Sequence, residues 1–419
     1  MSSRSSILRG LTMKISVGTK LLEKLTYGLL FVMIVLMSTG TFFKFGGIPA
    51  FAFPWVLAFI GVFLLWITRR DCFSSLRPRA RRRIILFLVT WLMYGLCQFA
   101  FVALNSEGER YFTFLVFNVT SFILVIVMGS DLRKVQLINR AILGGLVLNL
   151  IVAFWELRTN HHIVPLSLDY ERRFYAIPLT FFPNANDFAT FLVGGVATIS
   201  NEMVLARNRF YRVVLWLLVG CTLYVMTKTQ SRGGMLGVLV FCLVYFLLRI
   251  ARHLSKQSKA LFVSTLILIL VSFLVFILAL DSYFFGKIYH DVVTTEDRLY
   301  LWNQALDLFV ESNLLGIGPG QCLRRMGNVH FVFLELLAEY GLAIILGVML
   351  IVVTLVVWTH PFYDTKINSL VMAFMVAFLP TSMSSSSMTR ITIMWIVVAS
   401  FYALKINGCD LRQQRSVDG

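Results

Sequence analysis

Apolar residues run along this chain in blocks of roughly membrane length, separated by short polar or basic segments. A helix needs about 17–25 apolar residues to cross a bilayer. Twelve segments fit or approach that length: Leu25–Phe43, Ile48–Ile67, Ile84–Leu104, Phe112–Gly129, Ala141–Trp155, Asp187–Ala206, Val213–Thr227, Gly234–Leu248, Leu261–Leu280, Phe331–Trp358, Ile367–Ser382 and Ile391–Leu404. The fifth, seventh and eighth are the shortest. The tenth is long and acidic near its start, so it reads as an amphipathic lead-in helix up to Gly341 followed by the membrane-crossing part. The pattern predicts an all-α, polytopic membrane protein of about 12 transmembrane helices. The expected division is a cytoplasmic N-terminus over 1–24, helices one to nine over 25–280, and a long extracytoplasmic loop with amphipathic helices over 281–330. Helices ten to twelve over 331–404 and a cytoplasmic tail over 405–419 complete it. The basic segment Met1 to Lys24 leads into a full-length apolar run, as expected of an uncleaved first span.

Composition sharpens this picture. The chain has 419 residues, 58% hydrophobic and 14% charged, with a mean hydropathy of +0.79. Soluble domains hold about 45–50% apolar and about 25% charged residues. Such an excess cannot be hidden inside a globule of this length, which excludes a soluble enzyme, a disordered chain and a disulfide scaffold. The net charge of +17 would in a soluble protein point to nucleic acid. Its distribution explains it otherwise. With the N-terminus inside, the inner segments carry 26 Lys and Arg and the outer ones 12, so both termini are expected in the cytoplasm. No CxxC pair occurs, and Cys97, Cys221 and Cys242 lie in apolar runs, where they read as small core residues.

Three polar clusters interrupt the apolar pattern, and all fall on the expected outer side. The first contains Tyr170-Glu171-Arg172-Arg173-Phe174 and Phe182-Pro183-Asn184-Ala185-Asn186-Asp187, a turn opening the sixth span with Asn186 as its cap. The second, Thr227 to Gly234, leaves almost no room for a loop. A polar stretch at that depth is tolerated where it lines a wet cavity or is buried in protein. Arg232 is there either a snorkelling anchor or an anion ligand, since guanidinium forks match phosphate oxygens. The third joins Asp297 to Trp302, Gly316-Ile317-Gly318-Pro319-Gly320, and His330 to Gly341. Arg298 and Trp302 share a face if helical, and Leu299, Leu306 and Phe309 mark an amphipathic helix at the membrane surface. The glycine-rich turn lacks the Lys-Ser/Thr of a phosphate-binding P-loop. His330 is either an incidental interfacial residue or a base.

The order Thr-x-Ser-Arg-Gly, Asp-Arg-x-x-x-Trp, Gly-x-Gly-x-Gly and His-x-x-x-Leu-Glu-x-x-x-Glu-x-Gly resembles the O-antigen ligase and polymerase superfamily over roughly residues 175–345. The Phe-Phe-Pro-Asn-Ala-Asn stretch at 181–186 is similar to a family segment as well. Phe331 departs from the pattern, because many members carry Asn after the His. The resemblance implies a GT-C-like membrane glycosyltransferase using an undecaprenyl-diphosphate-linked glycan donor. The acceptor is then lipid A-core or a similar lipid or glycan, or a second lipid-linked repeat in a polymerase. The implied catalytic set is His330, Arg298 and Arg232. Substrate contacts are expected from Arg232, Arg298, Arg173, Asn184, Asn186, Trp302 and Glu335. No metal, no cofactor and no nucleic acid is expected; membrane lipids are. The expected location is the bacterial cytoplasmic (inner) membrane with the site outside, and Leu266–Leu280 is one place for a lipid groove. A transporter is the competing class, but the polar clusters lie on one side and the spans carry few charges.

Overall fold

The computed structural model describes residues 2–68, 79–164, 176–250, 295–357, 366–383, 387 and 390–417. Their helices are α1 (Ser2–Met37), α2 (Ala52–Thr68), α3 (Arg79–Phe101), α4 (Ser106–Met128), α5 (Leu132–Thr159), α6 (Ala185–Leu205), α7 (Arg209–Lys228) and α8 (Arg232–Ile250). After these come α9 (Thr295–Glu311), α10 (Gln321–Met326), α11 (Val332–Val357), α12 (Lys366–Ser382) and α13 (Thr392–Val417). One small departure from an all-α chain is a hairpin of two-residue strands, β1 (Lys44–Phe45) and β2 (Ile48–Pro49).

Among the described residues, seven helices are long and apolar enough to cross a membrane, namely α3 to α8 and α11, and α2, α12 and α13 add shorter apolar stretches. The protein is an integral membrane protein by this measure and by its apolar outer surface, where Leu86, Phe101, Trp216 and Leu217 are exposed. The ninth expected span, 261–280, lies outside the described residues, as does Arg173. The three short apolar runs are longer helices than their hydropathy implied. α5 starts at an Asp131 cap and continues to a left-handed Asn160, enclosing the polar Asn139 and Arg140 that hid its beginning.

α6 forms the centre, packed by α5, α7, α8, α12 and α13. Its small residues explain this, because without a hydrophobic drive between helices in lipid, close backbone approach supplies the contact. An added Cβ at Gly195 would come within 2.9 Å of Leu146 on α5, and one at Gly194 within 3.1 Å of Met394 on α13. The same geometry brings α8 onto α6: a Cβ at Gly234 would stand 2.6 Å from that of Ala189. Cys97, Cys221 and Cys242, by contrast, are exposed on the outer faces of α3, α7 and α8 rather than in the core. An apolar run in a membrane helix has two apolar faces, so hydrophobicity alone does not say which one packs.

Side-chain contacts sort the helix ends into two sets. One end is basic: Arg81 bonds Asn407 and the Ser130 carbonyl, Lys134 pairs with Glu23 at 3.2 Å, and Lys405 Nζ donates to Asn368 at 2.9 Å. The opposite end holds the described residues of the three polar clusters.

That opposite end is tied together by a residue the hydropathy pattern left in a loop. Glu156, 2% exposed at the end of α5, accepts the backbone N–H groups of Ile163 at 3.0 Å, Leu179 at 2.8 Å and Thr180 at 2.9 Å. Thr180 Oγ1 then donates to Asn149 Oδ1, and Asn149 Nδ2 donates to the Ser38 carbonyl. Thus one carboxylate fixes the segment leading into α6. Removing it strands three donors at about 1–3 kcal/mol each. Glu156→Ala is expected to lower the unfolding temperature of the detergent-purified protein by several degrees. Glu156→Gln, which keeps one acceptor oxygen, should fall in between. An unchanged melt for Glu156→Ala would remove the clamp.

Candidate active site

Helix α6 begins at Asn184, whose Oδ1 accepts from Asp187 N at 2.8 Å while its Nδ2 donates to Asp187 Oδ2 at 2.9 Å. The cap is therefore Asn184 and not the expected Asn186, which lies half-buried in the first turn. Both residues qualify as caps by type; the extended backbone at Asn184 decides between them.

In the second cluster, α7 ends at Thr229, Gln230 turns at φ 55°, and Ser231 Oγ accepts from Gly234 N at 3.3 Å to start α8. The polar stretch is a tight helix–helix turn with Thr229 and Ser231 buried. Arg232 stands exposed on the first turn of α8. The close approach of Gly234 to Ala189 places the first turn of α8 against the N-terminal part of α6.

The third cluster makes the other neighbourhood. Trp302 on α9 donates its indole N–H to the Val329 carbonyl at 3.0 Å, and its ring meets Phe331 with centroids 5.5 Å apart. It therefore holds the residues on both sides of His330. Phe331, the departure from the family pattern, serves as an aromatic contact here. His330 itself is half-buried with φ 56°, a left-handed conformation uncommon outside glycine that concentrates at functional sites. Arg298 lies one turn before Trp302 on the same face of α9 and is half-buried. Burial pushes its guanidinium pKa below the usual value, although an arginine keeps its charge at neutral pH. A desolvated cation of this kind gains most from an anionic ligand. The packed side of α9 is formed by Trp302, Ala305 and Leu308, while Leu299 and Leu306, read as marking a membrane-surface helix, are exposed.

The glycine-rich turn has a different task from cradling phosphate. Ile317 N donates to the Ala338 carbonyl at 2.9 Å, Gly318 N to Glu339 O at 2.9 Å, and Leu342 N to Leu314 O at 2.9 Å. The turn is thus spliced onto α11 where that helix breaks at Gly341 (φ 77°, ψ −177°). This is the break expected between a lead-in helix and a membrane-crossing one. Gln98 Nε2 seals the splice, donating to Leu315 O at 2.8 Å and Glu339 O at 3.1 Å. The backbone of 314–318 consequently fixes the end of α9 against α11.

Beneath the splice, Glu335 and Glu339 are buried one turn apart. Glu335 Oε1 accepts from Ser387 Oγ at 2.5 Å, and Glu339 Oε1 accepts from Cys322 N at 3.4 Å. Tyr111 stands beside Ser387, within electrostatic reach of Glu335, Glu339 and Arg390. Burial, helped by Glu339 and Glu335, raises the Cys322 thiol well above its usual pKa, which makes it an unreactive sulfur. Sequence reasoning had no signal for Ser387, Tyr111 or Gln98, whose partners lie 52 residues or more away in the chain.

The chain bearing these features, from α7 to the middle of α11, has known relatives. Residues 215–348 match the family described as O-Antigen ligase. The match bears out the resemblance carried by the Arg232, Arg298 and His330 motifs and leaves the 181–187 stretch before it. A further relative is the teichuronic acid biosynthesis protein TuaE of Bacillus subtilis (strain 168), 24% identical over 351 residues that cover 75% of this chain and 70% of the relative. Both similarities agree with the helical, lipid-facing architecture described above.

Proposed function

We propose that the protein is a membrane glycosyltransferase that moves a glycan from an undecaprenyl-diphosphate donor to an acceptor hydroxyl, in the manner of an O-antigen ligase. The observation that carries this reading is Trp302, which brackets His330 and so presents a half-buried cation and an imidazole at one end of the bundle. The acceptor oxygen attacks the anomeric carbon opposite the diphosphate. The carbon–oxygen bond to the diphosphate breaks, and the electron pair leaves with that group. Arg298 and Arg232 stabilise the departing charge, and His330 takes the hydroxyl proton. The guanidinium groups supply the positive charge that a metal would otherwise bring, so transfer is metal-independent, and single displacement inverts the anomeric centre.

On this reading the site faces outward from the bacterial cytoplasmic membrane, both termini are cytoplasmic, and lipid A-core or a similar glycan is the acceptor. Similarity to a teichuronic acid biosynthesis protein favours a second reading, in which the acceptor is another lipid-linked repeat. Accumulation of long lipid-linked polymer in a deletion strain supports the ligase, and accumulation of single repeats the polymerase.

His330→Ala is expected to slow transfer by about 100- to 10,000-fold, the usual worth of a positioned base, with an unchanged melting temperature. Wild-type rates should persist in excess EDTA. A fully active His330→Ala variant would remove the base, and loss in EDTA restored by magnesium would replace the guanidinium mechanism.

A further inference from the structure

Gln98 seals the splice with its amide nitrogen alone. Nε2 donates to the carbonyls of Leu315 and Glu339. Only a nitrogen can meet those carbonyls, so the amide orientation is fixed and Oε1 points the other way. That oxygen is buried, on a residue 6% exposed, and accepts no hydrogen bond from any described residue. A buried acceptor left without a donor is costly. Gln98 lines a cavity of ≈ 460 Å³ between the end of α3 and the 311–317 segment, within the size range of ligand sites. The cavity's own hydroxyls are turned elsewhere. Tyr94 Oη donates to Leu315 O at 2.6 Å, and Ser312 Oγ donates to Phe309 O at 2.6 Å while accepting from Gly316 N at 2.9 Å. The donor for Gln98 therefore has to come from an occupant. The remaining walls are apolar, with Phe101 and Val102 on one side and Leu315 and Ile317 on the other. Phe101 is 87% exposed at the end of a membrane-length helix, so the cavity opens sideways to lipid. One anion and one cation, Glu311 and Arg325, line it with exposed side chains. An occupant that fits brings an N–H or O–H donor, a cation for Glu311, an anion for Arg325 and an apolar body. An anionic lipid is repelled by Glu311. A quaternary ammonium carries no N–H, whereas a primary ammonium offers three donors.

We infer that this cavity holds the head group of a zwitterionic, primary-amine phospholipid of the phosphatidylethanolamine type. Its ammonium meets Gln98 Oε1 and Glu311, its phosphate meets Arg325, and the start of one chain lies along Phe101 and Val102. The inference goes beyond the proposed transfer and does not depend on it, because the residues lining the cavity include none of His330, Arg298 and Arg232. Since Gln98 also seals the splice, the bound lipid steadies the join between α9 and α11 and stabilises the folded protein by mass action. The lipid groove expected along Leu266–Leu280 lies outside the described residues.

The test titrates the full-length protein, delipidated in detergent, with phosphatidylethanolamine, its N,N-dimethyl derivative, phosphatidylcholine and phosphatidylglycerol of identical chains. Bound lipid is counted by native mass spectrometry, and the melting temperature is followed in parallel. Phosphatidylethanolamine should bind about tenfold more tightly than phosphatidylcholine, which keeps the charge and loses every N–H; that factor is the worth of one charge-assisted hydrogen bond. The dimethyl lipid, with one N–H, should fall between them, and the melting temperature should rise in the same order. Arg325→Gln should weaken phosphatidylethanolamine binding severalfold, and Glu311→Gln should erase the preference over phosphatidylglycerol. Both side chains are exposed, so the lipid-free melt should not change. Val102→Trp, which fills the cavity, should remove the tight site. Equal affinity for phosphatidylethanolamine and phosphatidylcholine, or tighter binding of phosphatidylglycerol, would overturn the inference. Binding that none of the three variants alters would also overturn it, leaving ordinary bilayer contact and a water on Gln98. A protein that binds phosphatidylethanolamine here but transfers no glycan from a polyprenyl-diphosphate donor overturns the proposed function and leaves this site standing.

Discussion

Arg298→Ala is expected to lower the initial rate of glycan transfer by about 100- to 1,000-fold, the cost of removing one preorganised group that stabilises transition-state charge. The argument is positional. Arg298 is half-buried on the α9 face that Trp302 fixes to Val329 and Phe331, so its guanidinium is held in place beside the His330 segment. Arg298→Lys keeps the charge without the two-pronged fork and should lose only about tenfold, since Lys meets a phosphate as a single point charge. Arg249→Ala, at the last turn of α8 and so at the basic end, should leave the rate unchanged. Full activity of Arg298→Ala with an unaltered melt would place the leaving-group cation elsewhere.

The second large effect is on folding. Gly341 has φ 77° and ψ −177°, a region open essentially to glycine alone and costing other residues about 1–3 kcal/mol. A Cβ there would also meet the Leu315 carbonyl carbon and oxygen at 2.5 Å and Leu314 O at 2.6 Å. These are backbone atoms held in the splice, so no side chain can swing aside. Gly341→Ala is therefore expected to destabilise by at least several kcal/mol, in the range of severe single substitutions, and to be recovered from membranes in much lower yield. Gly220→Ala serves as the control, because nothing lies within 4 Å of a Cβ added there. A Gly341→Ala protein with wild-type yield, melt and transfer rate would show that the break in α11 is not needed.

Much of the fold was legible because lipid enforces simple rules. Eleven of the twelve apolar segments coincide with helices among the described residues. The break at Gly341 followed from an acidic lead-in and one glycine. The helix ends were harder. α5 begins nine residues before its apolar run because Asn139 is satisfied inside the protein, donating to buried Glu202 at 3.3 Å, while the exposed Arg140 reaches the same carboxylate at 3.8 Å. Motif order marked the three polar clusters, and the structure seats Trp302 against Val329 and Phe331 on either side of His330. The motifs gave no hint that the glycine-rich turn is a splice rather than a ligand cradle. That role depends on backbone partners 217 to 241 residues from Gln98. Glu156 was missed for the same reason: its acceptor role exists only once both flanks of a loop have folded back.

The most direct test is to supply the purified protein with a defined polyprenyl-diphosphate glycan and an acceptor, and to read the anomeric configuration of the product by NMR. The account predicts a glycosylated acceptor with inverted configuration, together with stoichiometric free polyprenyl diphosphate. Retained configuration would contradict the single-displacement chemistry. No product from either a lipid A-core acceptor or a second lipid-linked repeat would contradict the glycosyltransferase itself.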